Sequence, residues 1–288
     1  MQRTRSEPLI RTTGLHHIYR EGTSYALDGI DLEIEAGEYI AVVGANGSGK
    51  STLLMHLNAL LLPTSGDVMI AGMNTKNNQW LREIRSMVGM VFQSPDTQII
   101  ATIVEEDVAF GPENIGVPEQ ELRHRVVQAL RAVGLYKLRK RPSHLLSAGQ
   151  KQLLAIASAL AMHPRCLVLD EATSMLDPAS RRSFLETLAH LHRQGMTIVC
   201  STHNMDEAAL AQRIIVLSKG KVIADGNPNA IFSRRELLVS ANIEPPSSLR
   251  LAEKIGEYLY GFYSSALTIT GLADEVDAYL RNKGSYDQ

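Results

Sequence analysis

The sequence predicts an α/β fold with a mainly parallel sheet, an antiparallel β subdomain before it, a helical insertion and a small helical appendage at the C-terminus. The apolar runs Tyr39–Val43 and Cys166–Leu169 and the predicted buried strand Met196–Ser201 alternate with helical patterns, which favours buried parallel strands joined by helices. Alternating apolar residues at Leu9–Tyr19 and Tyr25–Glu35 indicate that the chain begins with antiparallel strands.

The remaining elements follow from periodicity and from breakers. A helix is predicted from Gly49 to about Leu61, where Pro63 stops it, and short strands are predicted at Asp67–Ala71 and Met87–Phe92. The other predicted elements are helical segments through Ile103–Leu145 with breaks at Gly111-Pro112 and Pro118, helices Ala148–Met162 and Pro178–His192, and a closing hairpin of Ile214–Leu217 and Lys221–Ala224.

The pattern changes near the C-terminus. Pro245-Pro246 interrupts the chain, and two short amphipathic helices are predicted around Ser247–Tyr260 and Leu272–Asn282. The predicted organisation is a main domain over residues 1–235, which contains the helical subdomain at about 94–162, and an appendage over residues 236–288.

Composition limits the classes of function. The formal charge of −2 provides no basic footprint for nucleic acid, and the longest apolar runs, Leu53–Leu62 and Leu153–Met162, are too short to span a bilayer. Met1–Arg5 leads into no hydrophobic segment, so no secretory signal is expected. Cys166 and Cys200 lie in apolar runs and are expected to be buried free thiols.

One segment matches the phosphate-binding loop G-x-x-x-x-G-K-[ST]. Residues 44–51 read Gly-Ala-Asn-Gly-Ser-Gly-Lys-Ser and lie between a buried strand and a helix, as that loop requires; the alternative is a glycine-rich turn with an incidental lysine. Backbone N–H groups would converge on phosphates, Lys50 would supply charge and the Ser51 hydroxyl would bind Mg²⁺. The candidate nucleotide-binding residues are Gly44, Asn46, Gly47, Ser48, Gly49, Lys50, Ser51 and Thr52.

A pair of acids follows the apolar run Cys166–Leu169. Asp170 and Glu171 stand at the carboxyl edge of the predicted sheet, where open α/β sheets bind ligands. Asp170 is a candidate Mg²⁺ partner, and Glu171 is a candidate base that polarises the attacking water. An acidic helix cap is the alternative interpretation of these two residues.

A helix start about 20 residues earlier makes the resemblance specific. The pentapeptide 146–150, Leu-Ser-Ala-Gly-Gln, is similar to the signature sequence of ATP-binding-cassette (ABC) ATPases, although the family has glycine where this chain has Ala148. Standing alone, Ser147 would be an ordinary N-cap. The resemblance implies that Ser147, Gly149 and Gln150 contact the γ-phosphate held by the opposite subunit.

Four further positions match the family in order and spacing. Tyr19 resembles the aromatic residue that stacks on adenine, Gln93 the residue that bridges metal and water, segment 174–177 the D-loop, and His203 the switch histidine. Tyr19, Gln93 and His203 also have ordinary alternatives, as a strand aromatic, a strand end and a loop imidazole.

The resemblance implies an ABC ATPase fold, ATP and Mg²⁺ as ligands, and a head-to-tail dimer. Residues 88–99, 101–114 and 170–178 are similar to energy-coupling-factor (ECF) transporters, which import vitamins or transition-metal ions. The implied partners are a second ABC ATPase, either a paralogue or another copy, a transmembrane coupling subunit and a substrate-binding membrane subunit, on the cytoplasmic face of the membrane and without nucleic acid. The alternatives are another ABC importer class or a non-transport ABC ATPase.

Two surface features are left with two interpretations each. The acids Glu105, Glu106 and Asp107, beside the apolar Ile99, Ile100, Ile103, Val104, Val108 and Phe110, form either a solvated helix face or the groove that receives the membrane partner, as the resemblance implies. The aromatic residues Tyr258, Tyr260, Phe262 and Tyr263 either pack in a core or form an interface between the two ATPases.

Overall fold

The computed structural model describes residues 7–20 and 24–284, with side chains up to residue 281, so the expectation for Met1–Arg5 lies outside the described residues. The strands are β1 Ile10–His17, β2 Leu27–Ile34, β3 Tyr39–Val43, β4 Ser65–Ile70, β5 Met73–Asn74, β6 Val88–Val91, β7 Cys166–Asp170, β8 Thr197–Ser201, β9 Arg213–Ser218 and β10 Lys221–Gly226. The helices are α1 Lys50–Leu57, α2 Leu81–Met87, α3 Val104–Asn114, α4 Glu119–Ala132, α5 Ala148–Leu160, α6 Pro178–Arg193, α7 Met205–Ala208, α8 Pro228–Phe232, α9 Arg235–Ala241, α10 Ser247–Tyr258 and α11 Ile269–Gly284.

The strands form two sheets, as predicted. An antiparallel sheet has the order β2-β1-β4-β5, and a second sheet has the order β10-β9-β3-β8-β7-β6. In the second sheet only β10 runs antiparallel to its neighbour. The β9–β10 hairpin is confirmed, and its turn residues Lys219 and Gly220 both have positive φ, as the favoured two-residue hairpin turn requires.

The core lies on both faces of the parallel sheet. In β3, Tyr39, Ala41 and Val43 join the cluster that includes the helical subdomain, whereas Ile40 and Val42 join the cluster under the antiparallel sheet. All five residues are buried, which confirms the continuous apolar run as a strand covered on both faces. The loop after β3 is therefore held on a rigid strand.

Two predicted helix boundaries are wrong. Helix α1 ends at Leu57 and does not reach Leu61, because Ala59 adopts a left-handed conformation with φ of 55°. The break at Gly111-Pro112 does not occur, since both residues lie inside α3 and the break comes at Pro118. A Cβ on Gly111 would lie 2.8 Å from Met162 Sδ, so this part of α3 packs closely against the turn that follows α5.

The C-terminal segment differs from the sequence-based prediction in two ways. Helices α8 and α9 were not predicted, and α9 brings Leu237, Leu238 and Ala241 into the main core. Of the aromatic group, Phe262 is buried, whereas the three tyrosines are 85–92% exposed, so core packing is the wrong interpretation for Tyr258, Tyr260 and Tyr263.

The predicted lack of a membrane span agrees with the helices seen. Within the described part of the chain, no helix combines the length and the hydropathy that a bilayer crossing needs.

Candidate nucleotide site

The loop between β3 and α1 has a backbone that only glycine tolerates at its ends. Gly44 has φ of 151°, and a Cβ there would lie 2.2 Å from Leu217 O. Gly49 has φ of 106°, and a Cβ there would lie 2.6 Å from Ala26 O. The loop therefore turns sharply and directs the N-terminus of α1 toward the carboxyl edge of the sheet, where it favours an anion.

Lys50 is buried at this helix start. Its Nζ donates hydrogen bonds to Gly44 O at 3.0 Å and Ala45 O at 3.3 Å and lies 3.7 Å from Glu171 Oε1. Burial lowers the pKa of Lys50, while the charges of Glu171 and Asp170 act in the opposite direction. The ammonium group is thus held in the loop by two carbonyls, in a position to exchange them for phosphate oxygens.

Ser51, Asp170 and Ser201 form a compact set of oxygen donors. Both Ser51 Oγ and Ser201 Oγ donate to Asp170 Oδ1, at 3.0 Å and 2.7 Å. A hydroxyl and a carboxylate are hard oxygen ligands and fit Mg²⁺, which keeps several waters and takes its other ligands from phosphates. Across the described residues, no group of three or more His, Cys, Asp and Glu side chains could hold a metal ion.

Glu171 contacts Lys50, His203 and Ser201. His203 Nε2 lies 2.6 Å from Glu171 Oε1, and the Glu171 N–H donates to Ser201 Oγ at 2.9 Å. Glu171 has φ of 46°, a strained conformation for a residue with a side chain. The carboxylate is thereby turned into the space between Lys50 and His203, where a water molecule would be polarised.

The predicted residues line two adjoining cavities. One, of about 520 Å³, is lined by Tyr19, Asn46, Gly47, Gly49, Lys50, Ser51, Thr52, Gln93 and Glu171, among others. The other, of about 620 Å³, includes Gly44, Asn46, Glu171 and His203 in its lining. Ser48 is buried and packs under the loop, and its Oγ would lie 2.8 Å from a Cβ on Gly44.

The structure does not bring the signature residues to these cavities. Ser147, Gly149 and Gln150 line neither of them. Ser147 is the exposed N-cap of α5 and forms a reciprocal capping box with Gln150, at 3.3 Å and 3.0 Å. Gly149 is buried against α6, where a Cβ would lie 2.6 Å from Ser180 Cβ. Within one chain, the tip of α5 is therefore separate from the phosphate loop.

Sequence reasoning missed two residues that organise the site. Ser201 bonds both Asp170 and the backbone of Glu171, and its signal was a hydroxyl at the end of an apolar strand. Gln152 is fully buried in α5 and donates to the carbonyls of Phe92 at 3.1 Å and Gln93 at 3.0 Å. No local pattern indicated this link between the signature helix and Gln93. In the predicted D-loop, Asp177 caps α6.

The fold and this site define a nucleotide-binding protein of the phosphate-loop class. The family model described as "ABC transporter" matches residues 27–174. The energy-coupling factor transporter ATP-binding protein EcfA1 of Symbiobacterium thermophilum is 49% identical over 255 residues, which are 83% of this chain and 89% of that protein.

Two solved structures are also similar. The structure of cbiO1 from Clostridium perfringens, part of the ABC transporter complex cbiONQ, has a TM-score of 0.75 and 36% identity over 88% of this chain and 99% of that one. The dimeric post-hydrolysis state of the ATP-binding cassette MJ0796, bound to ADP and Pi, has a TM-score of 0.69 and 30% identity. That match covers 76% of this chain and 98% of the other. The chain belongs to the ABC transporter family, as an ATP-binding and ATP-hydrolysing subunit of the ECF and cobalt-import type.

Proposed function

We propose that this chain powers uptake of a vitamin or a transition-metal ion by hydrolysing Mg²⁺-ATP in a composite site shared with a second ABC ATPase. The observation that carries the proposal is the separation described above: one sheet edge gathers Lys50, Asp170, Glu171 and His203, whereas Ser147 is exposed elsewhere. A second subunit, a paralogue or another copy, would supply the missing helix tip.

In the proposed mechanism each residue has one task. The loop N–H groups and Lys50 bind the phosphates, and Tyr19 stacks on the adenine. Ser51, Asp170 and Gln93 would hold Mg²⁺, and the bound ion would supply positive charge that neutralises the phosphates. These residues bind and orient ATP before hydrolysis begins.

Closure of the two subunits then completes the site. Ser147, Gly149 and Gln150 of the other subunit meet the γ-phosphate at a helix N-terminus, which favours its negative charge. Glu171 orients water for in-line attack, and His203 stabilises the charge that develops on the γ-phosphate. Hydrolysis reopens the pair, and this motion drives the membrane subunits.

The docking surface for the membrane partner is proposed on the exposed side of α3 and the loop before it. Asp107 does not belong to it: Asp107 is buried and accepts the N–H groups of Ile100 and Ala101 at 2.7 Å and 3.1 Å. Val104 and Val108 are also fully buried, so fewer of these acids and apolar residues are available for docking than the sequence suggests. The exposed members are Ile100, Glu106 and Phe110.

This surface is tested in the assembled complex. Co-expression with the second ATPase and the membrane subunits should yield a stable complex whose ATPase activity depends on cargo uptake. The double variant Glu106→Lys/Phe110→Ala should weaken co-purification with the transmembrane subunit by about tenfold or more, because it removes an aromatic anchor and reverses a rim charge. Glu186→Lys, on the exposed face of α6, is the matched control. Unchanged assembly in the double variant would reject this surface.

The C-terminal appendage is proposed to strengthen pairing of the two ATPases through its exposed tyrosines. The packing of α9 and Ile243 in the main core supports a domain boundary near Pro245-Pro246, and we propose that boundary in place of residue 235. One anchor of the appendage is Ser247, whose N–H and Oγ both donate to the Asp206 carboxylate at 2.7 Å.

Shortening the chain tests this role. A chain that ends at Pro246 should keep Mg²⁺-ATP binding but pair about tenfold more weakly in sedimentation experiments with ATP, since it loses the aromatic surface. The full-length variant Tyr258→Ser/Tyr263→Ser should also pair more weakly, although its chain is not shortened. Pairing as tight as in the intact chain would contradict the proposal.

A further inference from the structure

A buried pair of histidines lies behind Tyr19. His17 is the last residue of β1 and is 7% exposed, and His56 in α1 is fully buried. The ring centroid of His17 lies 4.7 Å from that of Tyr19 and 4.7 Å from that of His56, with interplanar angles of 81° and 75°. Three nearly perpendicular rings thus run from the rim of the nucleotide cavity to the interior of α1.

Hydrogen bonds fix the two imidazoles. His56 Nδ1 lies 2.7 Å from Thr52 O, and His17 Nδ1 lies 3.3 Å from Leu62 O. A carbonyl only accepts, so Nδ1 carries the hydrogen in both rings. Burial lowers the pKa of His56, with the Thr52 carbonyl acting in the opposite direction. Neither Nε2 has a hydrogen-bond partner among the described residues, so these rings act mainly by packing.

The three aromatic rings and helix α1 meet at Thr52. Tyr19 OH lies 3.0 Å from Thr52 Oγ1, while His56 holds the Thr52 carbonyl. Tyr19 is therefore connected to α1 twice, through its hydroxyl and through the imidazoles. Nearly half of its side chain stays exposed at the cavity, which leaves area for a base.

We infer that His17 and His56 are positioning residues for the nucleotide base: they hold the Tyr19 ring at a fixed orientation to the phosphate loop. The inference rests on the proposed stacking of Tyr19 on adenine. A fixed ring increases affinity most for a base with a large π surface, so the pair also sets a preference for purine over pyrimidine triphosphates.

The test uses full-length variants at position 17 that separate the effect of an aromatic ring from the effect of side-chain volume. His17→Leu keeps volume but removes the ring, and should weaken Mg²⁺-ATP binding about fivefold, with kcat of the assembled ATPase within about twofold. Mg²⁺-CTP affinity should change little. His17→Phe restores a ring and should restore ATP affinity. His16→Ala is the matched control, because His16 lies on the other side of β1 beside Tyr25 and Asp28.

Double variants separate this inference from the proposed function. If His17 acts through Tyr19, adding His17→Leu to Tyr19→Ala should weaken ATP binding no further. An unchanged ATP affinity in Tyr19→Ala would reject the stacking role itself. The positioning role of His17 is overturned, while the stacking role of Tyr19 stands, if Tyr19→Ala weakens ATP binding but His17→Leu does not. The same conclusion follows if His17→Leu and His17→Phe have equal ATP affinities, or if the losses of affinity in Tyr19→Ala and His17→Leu multiply in the double variant.

Discussion

Replacing Glu171 with glutamine should stop turnover while ATP stays bound between two closed subunits. The amide keeps the shape and can still contact His203, but it cannot take a proton from water, so hydrolysis should fall by about 10²- to 10⁴-fold. The measurement is the rate of phosphate release together with the oligomeric state in Mg²⁺-ATP, where the variant should elute as a stable dimer.

Two controls make this result specific to chemistry. The variant should bind Mg²⁺-ATP as tightly as the wild type and melt at a similar temperature, because Glu171 is not part of the hydrophobic core. Turnover within about twofold of the wild-type rate would reject Glu171 as the residue that orients the attacking water.

Replacing Ser147 with aspartate should abolish hydrolysis without damaging the subunit that carries the change. Aspartate is as good an N-cap as serine, so α5 keeps its start. In a closed pair, however, its negative charge would face the γ-phosphate. Two like charges about 4 Å apart at an effective dielectric constant of about 20 repel by about 4 kcal/mol, so turnover should fall by about 10²- to 10³-fold.

The comparison variants at Ser147 isolate charge from capping. Ser147→Ala removes the side-chain cap and should cost about 1 kcal/mol of unfolding free energy, whereas Ser147→Asp should cost little. Mg²⁺-ATP affinity of the single subunit should be unchanged in both. ATP-driven pairing and hydrolysis at wild-type levels in Ser147→Asp would show that this helix tip meets no phosphate.

Local features of the fold were predictable from the sequence. Strand β3, the glycine-rich loop and the start of α1 are adjacent in the chain, and their constraints are steric. The apolar run, the positions of the glycines and the lysine together therefore predicted the observed strand, loop and helix start. The start of α5 at Ala148 was predicted for the same reason, since a capping box is complete within four residues.

Features that depend on tertiary packing were not predictable in this way. Pro112 remains inside α3 because the surrounding helices hold it there, against its intrinsic tendency to end a helix. Asp107 looked like a surface acid, but it is buried by the loop whose N–H groups it accepts. The partners of Gln152 lie about 60 residues away in sequence, at Phe92 and Gln93.

The order of the motifs along the chain predicted which residues meet at the carboxyl edge of the sheet. Asp170 and Glu171 lie at the end of β7 and His203 follows β8, and neighbouring parallel strands bring their carboxyl ends to one edge. What this rule cannot predict is the proposed role of Ser147, because within its own chain Ser147 only caps α5 and lies away from the phosphate loop.

The most direct test of the composite site is the ATPase activity of a mixed pair. Copies carrying Lys50→Ala and copies carrying Ser147→Asp, each inactive alone, are given different affinity tags, and the mixed dimer is isolated through both. One of its two sites then combines an intact phosphate loop with an intact helix tip, so about half of wild-type activity per dimer is expected if the sites act independently. A mixed dimer that forms and remains inactive would contradict the account.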